Sequence, residues 1–195
     1  MIRVFDFIGS LLGVLILSPV FIILSIAILL GSGSPVFFRQ ERVGKNAKSF
    51  MLLKFRTMKA ELTNQSLLTI GDRDNRITRI GYFLRKYKFD ELPQLLNVLF
   101  GDMSFVGPRP EVLKYVELYT PDQRKVLEVR PGITDLASIE YINESELLAE
   151  SADPEKVYIE EIMPHKLEIN LRYLANRSIL TDIVVIAKTL GGIFR

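Results

Sequence analysis

From Phe7 to Leu30 the chain carries 24 residues without a charge, and beyond them apolar and polar positions alternate in short stretches. As one straight helix the tract would be about 36 Å long, against the roughly 30 Å of a bilayer's hydrocarbon layer. Ser18-Pro19 stands at its middle. Proline lacks the N–H that helix bonding needs and crowds the carbonyl four residues back, so the pattern predicts a helix disturbed at this point. Two readings remain open. A kinked helix crosses the membrane, or two halves of about 18 Å enter and return on one side. Ser18 can bond a nearby carbonyl and support such a break in lipid. The tract exceeds a usual signal core and the first 30 residues lack the polar cleavage region of a secretory signal, which predicts a retained anchor over residues 1–30 and one domain over 31–195.

Gly31-Ser32-Gly33-Ser34-Pro35 reads as a flexible exit. Val36–Gln40 and Ser49–Phe55 predict two strands joined around Val43-Gly44-Lys45-Asn46. Residues 61–75 have no clean period and read as a loop with local helix. Ile77, Ile80, Leu84 and Tyr87 recur at helical spacing, placing Arg85 and Lys88 near a helix end. The stretch Asp90–Phe100 predicts a helix with Asp90 as N-cap, Glu91 in the first turn and Pro93 tolerated there. A short strand over Met103–Val106, helices over Glu111–Tyr119 and from Pro121, and two tail helices over Glu155–Asn176 and Ile179–Ile193 complete the pattern. In the last of these, Leu180, Ile183, Val184, Ala187, Leu190 and Ile193 form an apolar face suited to a membrane interface or to core packing.

Charge sharpens this picture. The net charge is only +2, yet residues 39–88 hold 13 Lys and Arg against Glu41, Glu61, Asp72 and Asp74, a local net of +9. Arg39, Arg42, Lys45 and Lys48 follow the apolar tract directly, which places that flank in the cytoplasm and suits anionic lipid headgroups. Nucleic acid is the weaker reading and is not expected as a partner, because no aromatic-and-basic binding module accompanies the charge and the chain is membrane-tethered. Cysteine is absent, so there is no disulfide framework.

Asp90 and Glu91 are adjacent carboxylates just after Arg85, Lys86 and Lys88. A helix start and basic neighbours favour ionised carboxylates and attract phosphate. Adjacent helical positions point in different directions, so one carboxylate can attack phosphorus while the other holds a cation. With no Cys and one histidine, His165, which reads as structural or solvated, that cation is Mg²⁺ rather than zinc. Arg109, between Pro108 and Pro110, and Arg130, before Pro131-Gly132, offer guanidinium groups for phosphate. A capping box with surface arginines would account for the same residues without chemistry.

At these residues the chain resembles the bacterial sugar transferases that act as small monotopic phosphoglycosyl transferases. The resemblance covers nearly the whole chain. It runs through Phe37-Phe38-Arg39-Gln40-Glu41-Arg42-Val43-Gly44, Lys54-Phe55-Arg56-Thr57-Met58 and Phe89-Asp90-Glu91-Leu92-Pro93-Gln94-Leu95-Leu96-Asn97-Val98. It continues in Gly101-Asp102-Met103-Ser104-Phe105-Val106-Gly107-Pro108-Arg109-Pro110 and Arg130-Pro131-Gly132-Ile133-Thr134. The resemblance implies an α+β, predominantly helical fold. A re-entrant membrane helix broken at Ser18 and Pro19, a short β-hairpin and interfacial amphipathic helices would surround a compact catalytic domain on the cytoplasmic face of the inner membrane. It implies transfer of a sugar 1-phosphate from a UDP-sugar to polyprenyl (undecaprenyl) phosphate in glycoconjugate or exopolysaccharide synthesis, with downstream glycosyltransferases as partners. Asp90 would be the nucleophile that forms a covalent phosphosugar and releases UMP. Glu91 would associate with Mg²⁺, and Arg85 and Arg109 would bind phosphate.

The chain departs from the family at Asp135-Leu136-Ala137-Ser138, where many relatives carry Gly-Leu-Ala-Gln. That substitution leaves the donor sugar open. Two other functions fit parts of the pattern: a metal-dependent diphosphate hydrolase, and a noncatalytic membrane adaptor that needs no convergence of carboxylates and arginines.

Overall fold

The computed structural model describes residues 2–59 and 76–193; the stretch expected as a loop over 61–75 lies outside the described residues. The apolar tract forms α1 (Ile2–Ser32), which passes Pro19 without leaving the helical state. Proline withdraws the N–H that would have bonded Leu15, and the Ser18 hydroxyl donates to that carbonyl instead, at 2.8 Å. The disturbance expected at Ser18-Pro19 is thus absorbed by one side chain and does not end the helix. By length and composition α1 could cross a bilayer.

One stripe of α1 packs on the rest of the chain along its whole length. Asp6, Ser10, Leu24 and Ile28 are buried at helical spacing. Phe5 meets Phe105 edge-on, and Phe21 lies 5.5 Å from the Phe55 ring. The opposite flank, including Ile16 and Leu30, is exposed. Both ends are tied by arginines. Arg3 donates to the carbonyls of Val98 and Leu99 at 2.5 and 2.8 Å. Arg56 donates to those of Ser32 and Gly33 at 2.6 and 2.5 Å, satisfying acceptors that the helix end leaves open.

The expected hairpin forms from β1 (Phe37–Val43) and β2 (Ser49–Phe55), antiparallel, with Phe37 opposite Phe55 and Val43 opposite Ser49. Its turn runs through Lys45–Ala47, where Asn46 takes a left-handed conformation. Helix α2 (Arg79–Lys86) starts at Thr78, whose hydroxyl accepts from the Gly81 N–H. Then come α3 (Gln94–Phe100), β3 (Ser104–Val106) and α4 (Leu113–Val116). The helix expected over Glu111–Tyr119 shrinks to α4, and the one from Pro121 appears as a 3₁₀ stretch, Gln123–Glu128.

Strand β4 (Gly132–Thr134) pairs in parallel with β3. This pairing of segments far apart in sequence had no local signal. The approach depends on glycine, because a Cβ at Gly132 would fall 2.1 Å from the Gly107 nitrogen. Two short helices, α5 (Leu136–Glu140) and α6 (Glu144–Ala149), were also not foreseen. Asp135 caps α5, accepting from the Ser138 N–H at 2.6 Å. The tail helix expected over Glu155–Asn176 is a continuous helical run of α7 (Pro154–Val157), a π turn at Tyr158–Ile162 and α8 (Met163–Ala175). Its inner face joins Val43, Tyr115, Val116, Val126 and Leu148 in the main core.

Helix α9 (Ile179–Ile193) has the expected bounds. Leu180, Ile183, Val184 and Leu190 of its apolar face are exposed. The buried side instead carries Val185 and Asp182, and Asp182 accepts from the Tyr173 hydroxyl and pairs with Arg177. The fold is therefore α+β and predominantly helical, with an N-terminal apolar helix and a short antiparallel hairpin on a compact helical core.

Candidate active site

Helix α3 begins later than its sequence suggests. Asp90 lies in a 3₁₀ turn, Phe89–Glu91, and the α-helix starts at Gln94 after Pro93. Asp90 is not an N-cap. Lys88, in a left-handed conformation, turns the chain out of α2 and into this corner. Asn97 then locks α3 to β2. Its Oδ1 accepts from the Leu53 N–H at 3.0 Å and its Nδ2 donates to the Met51 carbonyl at 2.8 Å. That tie sets the dyad beside Lys54, the one charge in the apolar strand β2.

Glu91 is the hub. Its Oε1 accepts from Lys54 Nζ at 2.8 Å and from Arg109 Nη2 at 2.6 Å. Burial opposes ionisation of Glu91, but Arg109 and Lys54 together overcome it and hold the carboxyl far below the usual range. Asp90 behaves differently. Only 7% of its surface is exposed, and Oδ1 is buried without a hydrogen-bond partner. Burial pushes its pKa up, against the pull of Lys54, with Glu91 adding to the rise. The sequence suggested a readily ionised Asp90; desolvation works against that expectation in the free protein. Two neighbouring carboxylates thus have opposite tendencies, as their different roles would require.

Arg85 adjoins the dyad, its Nε donating to Thr57 Oγ1 at 3.1 Å while its charge acts on Asp90. Arg130 is engaged elsewhere. Its Nε donates to the Gly101 carbonyl at 2.7 Å, just beyond α3, and no bond joins it to Asp90 or Glu91 among the described residues. His165 bonds the Tyr141 hydroxyl at 2.7 Å and has no contact with the dyad. Of the basic flank, Arg39, Lys45 and Lys48 are exposed, whereas Arg42 turns inward to Glu111.

Among the described residues no group of three or more His, Cys, Asp or Glu could hold a metal ion. Magnesium, however, takes one or two carboxylates and completes its shell with water and substrate phosphate. Asp90 Oδ1 has no partner, and both cations on Glu91 share Oε1. The donor set therefore fits a divalent cation brought in with a diphosphate. Lys54 and Arg42 received no individual role from the sequence, although a lone lysine within an apolar strand was a usable signal.

The bacterial sugar transferase family matches the chain over residues 1–195. The chain belongs to this family. Among similar proteins, the Bacillus subtilis sugar transferase EpsL is 39% identical over 96% of this chain and 84% of its own length. The UDP-glucose:undecaprenyl-phosphate glucose-1-phosphate transferase of Caulobacter vibrioides is 33% identical over 98% of the chain and 68% of its own length. The exopolysaccharide production protein ExoY of Rhizobium meliloti is 32% identical over 98% of the chain and 84% of its own length. In this sugar transferase the buried dyad sits where the β2 lysine, the end of α2 and the Pro108–Pro110 arm converge.

Proposed function

We propose that this sugar transferase moves a sugar 1-phosphate from a UDP-sugar to polyprenyl (undecaprenyl) phosphate through a covalent intermediate on Asp90. The observation that carries this reading is the pairing of a buried carboxylate whose Oδ1 lacks a hydrogen-bond partner with a neighbour held ionised by Lys54 and Arg109. An oxygen of Asp90 attacks the sugar-bearing phosphorus, the bond to UMP breaks, and UMP leaves. An oxygen of the lipid phosphate then attacks the same phosphorus, the bond to Asp90 breaks, and the carboxylate is restored. Arg109 and Arg85 bind the phosphates, with Arg130 as a further candidate. Glu91 would hold Mg²⁺, which would offset the charge on the diphosphate. Relatives named for their donors are transferases of UDP-glucose and of UDP-N-acetylgalactosamine.

Purified protein incubated with labelled UDP-sugars, undecaprenyl phosphate and Mg²⁺ should give a lipid diphosphate sugar and UMP. EDTA should abolish turnover and added Mg²⁺ restore it. Release of free sugar phosphate without lipid product would identify a hydrolase, and binding without turnover an adaptor.

We further propose that α1 is re-entrant and that the catalytic domain lies on the cytoplasmic face of the inner membrane. Domain contacts at both ends of α1 support this, since a crossing helix would carry one end away from a cytoplasmic domain. Cysteines placed at Met1 and at Lys48 should both resist an impermeant thiol reagent in intact cells. Labelling of the first alone would establish a crossing helix.

A further inference from the structure

Arg109 is carried between Pro108 and Pro110, neither of which has a backbone N–H. Their carbonyls are the backbone handles that remain at these two residues, and both are used. Pro108 accepts from the Gly132 N–H at 3.1 Å. Pro110 accepts from Arg42 Nη1, also at 3.1 Å. One flank of the arm is thus held by backbone and the other by a side chain from the hairpin.

Arg42 is itself braced. Its Nη1 also donates to Glu111 Oε1 at 3.0 Å, and Gln40 Oε1 accepts from Nε and Nη2 at 3.1 and 2.8 Å. Glu111 is fixed from several directions. The Val112 N–H donates to Oε1 at 2.8 Å, the Tyr158 hydroxyl donates to Oε2, and the Val43 N–H donates to the Glu111 carbonyl at 2.8 Å. The Arg42 and Glu111 side chains are 18% and 17% exposed. Apolar residues of similar volume could join the hairpin to the arm without desolvating two charges. They could not hold a proline carbonyl in a fixed direction.

We propose that Arg42, braced by Glu111 and Tyr158, is a positioning residue that aims Arg109 at the donor's diphosphate. The proposal rests on reading Arg109 as a phosphate-binding residue. Arg42 acts through the Pro110 carbonyl and touches neither the dyad nor the reacting atoms. A shift of about 1 Å in such an arm can cost up to about a hundredfold in function.

The test is calorimetric titration of full-length protein with UDP and Mg²⁺, a readout independent of turnover. Arg42→Met should weaken UDP binding about tenfold. Tyr158→Phe should weaken it about threefold, with a melting temperature close to that of the parent. Arg109→Ala should weaken it at least as much as Arg42→Met, and the double variant Arg42→Met/Arg109→Ala should bind no worse than Arg109→Ala alone. Parental affinity in Arg42→Met and Tyr158→Phe, or losses that multiply in the double variant, would overturn the positioning role while leaving Arg109 in place. Parental affinity in Arg109→Ala would instead remove the phosphate-binding reading and the proposal with it. If Arg42→Met does not fold, Tyr158→Phe combined with Arg109→Ala decides by the same criterion.

Discussion

Replacing Asp90 by asparagine is expected to abolish turnover, by on the order of ten thousandfold, and at the same time to raise the melting temperature. Both effects come from one environment. The carboxylate oxygen that would attack phosphorus is buried without a partner, and burial pushes the pKa of Asp90 up. A raised folded-state pKa means that stability declines as pH rises above the unfolded carboxylate value, about 3.9. The advantage of asparagine should therefore be absent in acid and grow through the pH range in which Asp90 would ionise. Near neutral pH we expect a gain of about 2–4 °C, the shift that about 1 kcal/mol produces in a chain of this size. Mass spectrometry of the parent with UDP-sugar alone should find one sugar phosphate added at Asp90, and none in the variant. Near-parental turnover in Asp90→Asn would exclude Asp90 as the nucleophile. A lowered melting temperature would refute the account of its burial.

Lys54→Met should act in the opposite sense on stability and in the same sense on activity. Its ammonium stands 2.8 Å from Glu91 and is the strongest ionising influence on Asp90. Removing it leaves Glu91 with Arg109, and Asp90 with the weaker pull of Arg85 and Lys88. We expect at least about a hundredfold loss of rate and a loss of about 2 kcal/mol of stability, below the full cost of orphaning a buried charge because Arg109 remains. The depressed pKa of Glu91 contributes stability above the unfolded carboxylate range, and this is lost as pH falls through the folded value. With one cation gone that folded value moves up, so acid unfolding should begin at a higher pH than in the parent. Lys54→Arg keeps the charge and should recover stability more fully than rate, since a planar fork does not replace a compact ammonium. An unchanged acid limb in chemical or thermal unfolding would show that the Lys54–Glu91 contact is energetically idle.

What could be read from the sequence was what local chemistry determines. The hairpin turn at Gly44-Lys45-Asn46 and the bounds of α9 lie where expected, because turn residues and a helical period are local signals. The convergence of Arg109 on Glu91 could only be suspected, since the two are joined by a tertiary contact across 18 positions. The parallel pairing of Ser104–Val106 with Gly132–Thr134 left no periodic trace in either three-residue segment. Asp90 was misread in the most instructive way. Its neighbours Arg85, Lys86 and Lys88 advertised an ionised carboxylate, but packing removed water from it, and sequence carries no direct measure of desolvation. Arg42 was counted as part of a lipid-facing basic flank, whereas Glu111, distant in sequence, draws it inward.

Helix α1, covered on one side and bare on the other, also has a mechanical consequence. Over its 31 residues, roughly 46 Å, acyl chains can meet only the flank that the rest of the chain leaves bare. Wherever that bare flank is immersed, the covered flank displaces lipid with folded protein. With α1 re-entrant, as proposed, the molecule would add cross-sectional area to one monolayer without adding it to the other. Such an insertion acts as a wedge, and its work of insertion depends on spontaneous curvature and lateral pressure as well as on hydrophobicity. Vesicle radius and the proportion of cone-shaped lipid thus become physical variables of this transferase, alongside its two substrates.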